Sequence, residues 1–176
     1  MAASGRHTCP ECGRDTAAQV QVTTGVSAAS IAVHGERLTV NHCDCGYVQV
    51  PSSLGRAARS TAGGSLPAAR HTLLRPDRCR GCRAVLTMPG RRTERVVSVL
   101  PDDLPVVTLR FDLPMIRCPA CGMDQLPARA RADVDVALAA LLQAAADEAT
   151  GTPRIDPSQL GPWERLAWLT KRARGR

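Results

Sequence analysis

At 176 residues with only 2% aromatic side chains, the chain has room for one domain or two small ones and little material for a large apolar core. No stretch reaches the roughly 18 apolar residues of a membrane span. The segment from Met1 to Cys9 has no apolar signal region, so a cytoplasmic location with reduced thiols is expected and a secreted disulfide scaffold is disfavoured. The formal charge is +7, and Lys171 is the single lysine among 23 cationic residues.

Residues 1–50 read as a first module. Cys9-Pro10-Glu11-Cys12-Gly13 opens it. Ala18 to Thr24 alternates as a strand with Val20 and Val22 on one face, and Ile31 and Val33 begin a second. His34-Gly35-Glu36-Arg37 is a turn candidate, after which Leu38 and Val40 lead to Cys43-Asp44-Cys45-Gly46. Tyr47, Val48 and Val50 continue as an edge strand. The closing pair is C-x-C. His42 stands three residues before Cys45, so two ligand sets remain open: four cysteines, or His42 in place of Cys43.

Residues 51–76 read as a basic flexible linker. Pro51-Ser52-Ser53, Gly63-Gly64-Ser65 and Pro67 oppose a sustained element. From 51 to 95 there are ten arginines against Asp77 and Glu94. Such a segment either lies along phosphates or is a solvated spacer.

Residues 77–150 read as a second module with a following helix. Cys79-Arg80-Gly81-Cys82 opens it, and Val85, Leu86 and Met88 leave the pair. Val96 to Leu100 forms a strand, Pro101-Asp102-Asp103 a turn, and Val106 to Phe111 the return; Pro114 is expected to end the ladder before Cys118-Pro119-Ala120-Cys121-Gly122. In 132–149, Val134, Leu138, Leu141 and Ala145 recur at helical spacing with Leu142 beside them, a stripe to pack on the second module or on a partner. Residues 151–176 suggest a short basic helix and tail from Pro162, with Trp163 and Trp168 on its apolar side.

All eight cysteines fall in these four pairs. A tetrahedral zinc ion takes four thiolates about 2.3 Å away, and two paired turns joined by antiparallel strands supply them. Cys9, Cys12, Cys43 and Cys45 would hold one Zn²⁺, and Cys79, Cys82, Cys118 and Cys121 a second. The gaps between pairs, about 30 and 35 residues, exceed the roughly 15–20 of the short template, so each insert must hold a long hairpin or three strands. Cross-bracing between modules is the alternative, at the cost of closing the linker as a loop. Two loaded sites would lower the charge to about +3, which makes the basic character local. The expected fold is a small, metal-stabilised α+β protein: two antiparallel zinc ribbons followed by C-terminal helices.

The segment Cys79–Glu148 resembles the YgiT-type zinc finger, the N-terminal domain of MqsA-like antitoxins, through Cys79, Cys82, the strand-rich insert, Cys118-Pro119-Ala120-Cys121-Gly122 and the helix that follows. Cys9 to Cys45 resembles the same ribbon without its helix. The resemblance implies zinc on Cys79, Cys82, Cys118 and Cys121. It departs at Cys43-x-Cys45 and at Arg83, which stands where the other pairs have glycine. The family's separate C-terminal helix-turn-helix domain has no counterpart in the residues after Gly151, so DNA binding and toxin neutralisation do not carry over.

Three functions follow as expectations. The first is a non-catalytic zinc protein whose arginines contact DNA or RNA phosphates with weak sequence specificity; the scarcity of aromatics argues against base stacking. The second is a protein adaptor docking through helix 132–149 and the Trp163/Trp168 segment. The third, thiol redox chemistry, fits poorly, because a redox C-x-x-C sits at a helix N-terminus and these pairs lie beside strands. No catalytic acid pair, nucleophile elbow or phosphate loop is present, so no enzyme activity is expected.

Overall fold

A computed structural model describes residues 8–14, 18–72, 75–87, 90–102 and 104–151. The expected helix and tail beyond Gly151 lie outside them, as does Asp103. No described helix is long and apolar enough to cross a membrane.

The first module is built on a hairpin of β1 (Ala18–Ala28) and β2 (Ile31–His42). The chain reverses at Ala29 and Ser30, with Ala28 paired to Ile31 and Ala29 at φ 52°. The reversal expected at His34–Arg37 is therefore corrected. Val22 faces Leu38 and Thr24 faces Gly35, so Glu36 and Arg37 together oppose Thr23. This is a β-bulge, with Arg37 at φ 60°. Gly35 serves space rather than a turn: a Cβ there would lie 2.8 Å from Leu38 Cδ1 and 3.1 Å from Leu141 Cδ2. A short β3 (Val48–Gln49) pairs back onto β2.

The flexible linker expected at 51–76 is also corrected. Ser52–Ser65 is a helix, α1. Leu54, Ala58, Ala62 and Leu66 recur every four residues and are 0–2% exposed. Burial of that stripe overrides the weak propensity of the glycines and serines around it. After α1 the chain forms a small hairpin, β4 (Arg70–Thr72) with β5 (Arg75–Arg78), that leads into Cys79.

The second module repeats the plan. β6 (Arg91–Val99) pairs with β7 (Val107–Arg117), and β8 (Asp124–Gln125) folds back on β7. Pro114 does not end the ladder; it pairs with Arg92 inside β7. The β2–β7 pairing stops at Ala32 and Asp112, so a residue without an N–H interrupts nothing on that flank. Helix α2 (Ala130–Ala149) follows, with Val134, Leu138, Leu141 and Ala145 all 0% exposed.

The two hairpins are not separate ribbons. β2 and β7 pair antiparallel, giving one sheet of order β1-β2-β7-β6. His34 pairs with Arg110, flanked by Val33 with Phe111 and Gly35 with Leu109. An approximate two-fold axis thus passes between corresponding strands. The helices exchange across it. α2, from the second module, packs on β1 and β2 of the first, and α1, from the first, packs on β6 of the second. The expectation that α2 would cover the second module or a partner is corrected accordingly. One core joins Ile31, Val33, Leu109, Phe111 and Leu113 of the sheet to Leu54 of α1 and Leu138 and Leu141 of α2. A satellite core of Ala69, Cys79, Leu86, Ile116 and Cys118 supports the second cysteine cluster.

Candidate metal centres

Each cysteine pair sits in a tight main-chain turn, a knuckle. In the first, Gly13 N–H donates to Cys9 O (2.9 Å) and Cys9 N–H to Arg14 O (2.7 Å). The same two bonds recur as Arg83 to Cys79 (3.0 Å) and Cys79 to Ala84 (2.8 Å), and as Gly122 to Cys118 and Cys118 to Met123 (both 2.9 Å). In the C-x-C pair, Gly46 N–H donates to Cys43 O (2.8 Å) and Cys43 N–H to Tyr47 O (2.9 Å). It is the same knuckle with one residue removed. The residue after each second cysteine is left-handed: Gly13 (φ 70°), Gly46 (88°), Arg83 (65°) and Gly122 (73°). Glycine suits that region at three positions, and Arg83 occupies it with a side chain.

The hairpins bring the knuckles together in sequence order. Cys9, Cys12, Cys43 and Cys45 form one group and Cys79, Cys82, Cys118 and Cys121 the other, with all sulfurs of a group within 4.8 Å of one another. Cys9 Sγ lies 3.7 Å from Cys45 Sγ and Cys12 Sγ 3.5 Å from Cys43 Sγ. Cys79–Cys121 and Cys82–Cys118 are each 3.5 Å apart. A tetrahedron of sulfurs with bonds of about 2.3 Å has edges of about 3.8 Å. The donor sets therefore fit a tetrahedral ion, and the close contacts run between knuckles rather than within a C-x-x-C. All eight cysteines are free of disulfides. Cross-bracing between modules does not occur. His42 stays in the ladder, paired with Ala18 and Val48, and is not in the group.

In each knuckle the first cysteine is buried and the second more open. Burial pushes the Cys9 thiol up, but N–H groups of Cys12 and Glu11 and the thiols of Cys45 and Cys43 outweigh it and bring it down to about 7. Cys79 is brought down to about 6, first by the Cys82 N–H against the effect of burial, then by Gln125 and the Gly81 N–H. Cys43 is helped by the Cys45 N–H, yet burial and the sulfurs of Cys45, Cys12 and Cys9 push it up to about 12. Cys121 behaves alike: the Met123 N–H lowers it, and Cys79, Cys82 and Cys118 raise it to about 12. Four sulfurs this close cannot all be anionic without a cation, which is the electrostatic signature of a thiolate metal site.

Gln125 was not anticipated from the sequence. It is 0% exposed in β8, and its Oε1 accepts the Arg80 N–H at 3.0 Å. Its Nε2 is buried without a hydrogen-bond partner among the described residues, and the amide beside Cys79 helps lower that thiol. A readable signal existed. Cys45-Gly46-Tyr47-Val48-Gln49-Val50-Pro51 and Cys121-Gly122-Met123-Asp124-Gln125-Leu126-Pro127 share Cys-Gly-x-x-Gln-x-Pro before each helix. The halves differ here, because Gln49 is exposed.

Some arginines are paired with acids and others are not; Arg14, Arg37 in β2 and Arg91 in β6 are exposed without a carboxylate partner among the described residues. On the sheet face away from the helices, Arg110 pairs with Glu36 (3.0 Å) and Glu94 (3.9 Å), and Arg92 with Asp112 (3.0 Å). Arg56, Arg59, Arg70, Arg78, Arg80, Arg83, Arg117 and Arg129 are exposed, and none has a carboxylate partner among the described residues.

Comparison with family models, curated proteins and solved structures finds no match for this chain.

Proposed function

We propose that the chain is a non-catalytic protein with two structural Zn²⁺ sites that binds DNA or RNA through phosphate contacts. Zinc suits two all-thiolate tetrahedra, and the resemblance of the Cys79–Glu148 segment to YgiT-type zinc fingers supports it. A closed four-sulfur set offers no open position for substrate. The observation that carries the nucleic-acid reading is the group of exposed arginines around α1, the third knuckle and the start of α2, none of which has a described acid to pair with, whereas Arg92 and Arg110 on the open sheet face are paired. Unpaired guanidiniums on a surface with few aromatic rings favour phosphate over base contacts.

Metal analysis of purified protein should give two zinc per chain. Fluorescence anisotropy with duplex DNA and with RNA should show binding whose logarithm falls by about 0.9 per phosphate contact for each decade of salt. Absence of binding to both at about 50 mM salt overturns the nucleic-acid reading. A protein-adaptor role draws less support, because the apolar stripe of α2 is consumed by the chain's own sheet. It would rest on the Trp163/Trp168 segment.

A further inference from the structure

We propose that Arg70, Arg80 and Arg131 form a pocket for the terminal phosphate of a nucleic acid, an inference that rests on the nucleic-acid reading above. The pocket has a volume of 320 Å³ and is lined by Gly63, Leu66, Ala68, Arg70, Arg80 and Arg131. No carboxylate lines it. The nearby acids are engaged elsewhere: Asp77 accepts the Ala128 N–H at 2.8 Å, and Asp124 pairs with Arg95 at 3.2 Å.

Separate elements carry the three arginines, and their main chain is anchored at each. Arg80 lies in the third knuckle, its N–H held by Gln125. Arg70 follows a segment tied to the chain after β8, where Ala69 N–H donates to Leu126 O and Leu126 N–H to Pro67 O, both at 2.8 Å. Arg131 stands in the first turn of α2, half-buried, and its Nη1 donates to Ala62 O at 3.5 Å. Gly63 makes room for it: a Cβ there would lie 2.9 Å from Arg131 Nη2. A glycine inside α1 costs helix stability, and this contact gives it a reason. Leu66, 2% exposed, backs the pocket from the core side.

Three guanidiniums exceed what the single charge of an internal phosphodiester neutralises. A terminal phosphate carries about −1.5 to −2 near pH 7 and offers three oxygens to forked donors.

The test is anisotropy with the zinc-loaded full chain and one oligonucleotide sequence bearing a 5′-phosphate, a 3′-phosphate or only hydroxyl ends. A phosphorylated end should bind about tenfold more tightly, and inorganic phosphate should compete with it. Arg131→Gln should abolish that preference and leave the residual, end-independent affinity. Gly63→Ala, which only nudges the Arg131 guanidinium, should reduce the preference less than Arg131→Gln does, with zinc content unchanged in both variants. Equal affinity for phosphate and hydroxyl ends overturns the pocket alone. Absence of any oligonucleotide binding overturns the nucleic-acid reading as well.

Discussion

Replacing Arg83 by glycine should make the protein more stable. Arg83 sits at φ 65°, in the position where Gly13, Gly46 and Gly122 sit at 70°, 88° and 73°. A side chain there brings Cβ against the following carbonyl, at a cost of roughly 1–2 kcal/mol. Glycine returns part of the gain, roughly 0.5–1 kcal/mol, because it has more freedom to lose on folding. The net is a stabilisation of about 0.5–1 kcal/mol. Local hydrogen bonds survive the change, because the Arg83 N–H to Cys79 O (3.0 Å) and Arg78 Nη1 to Arg83 O (3.1 Å) both use Arg83 main-chain atoms. For a chain of this length that is a rise in Tm of about 1–4 °C, measured by calorimetry on zinc-loaded protein. Gly122→Ala should move Tm the opposite way. If R83G is neutral or less stable at unchanged zinc content, backbone strain does not govern the knuckle.

Three further outcomes follow from packing and charge. Leu141→Ala empties a 0%-exposed site above Gly35 and should cost about 2–5 kcal/mol in thermal unfolding; because Leu141 belongs to the second module, amide exchange should speed up in β1 and β2 of the first. Gln125→Leu removes the acceptor for Arg80 and the support of Cys79, so chelator competition should show a loss of about 10–100-fold in affinity at the second site. The first site, with Gln49 exposed, should be unchanged. Metal affinity should fall with pH: the thiolates of Cys9 and Cys79 are depressed to about 7 and about 6, so their contribution is present above the ordinary thiol range and is lost as pH drops through those values. Cys43 and Cys121, raised to about 12, keep their protons until a metal displaces them. Titrating metal into metal-free protein at about pH 7 should therefore release protons, but fewer than four per site.

The cysteine pairs were legible because their geometry is local: two donors and one left-handed residue within a single turn. The stripe of α2 was legible for a similar reason, since Val134, Leu138, Leu141 and Ala145 keep helical spacing without interruption. What lay against that stripe was not, because pairing of β2 with β7 joins residues far apart in the chain. The same non-locality hid α1. Its glycines and serines are poor helix formers, and the β6 and α2 surfaces that stabilise it belong to the other half. The bulge at Glu36–Arg37 was mistaken for a turn because glycine next to charged residues signals both.

The exchange of helices sets an order of events during synthesis. The four ligands of the first cluster are complete at Cys45, but the helix that roofs β1 and β2 ends at Ala149. A nascent chain thus carries all four candidate ligands of the first cluster together with an uncovered apolar sheet until the second half has emerged. Early metal capture would hold the β1–β2 hairpin in register through that interval, so a shortage of the ion during translation should be felt first as aggregation of growing chains.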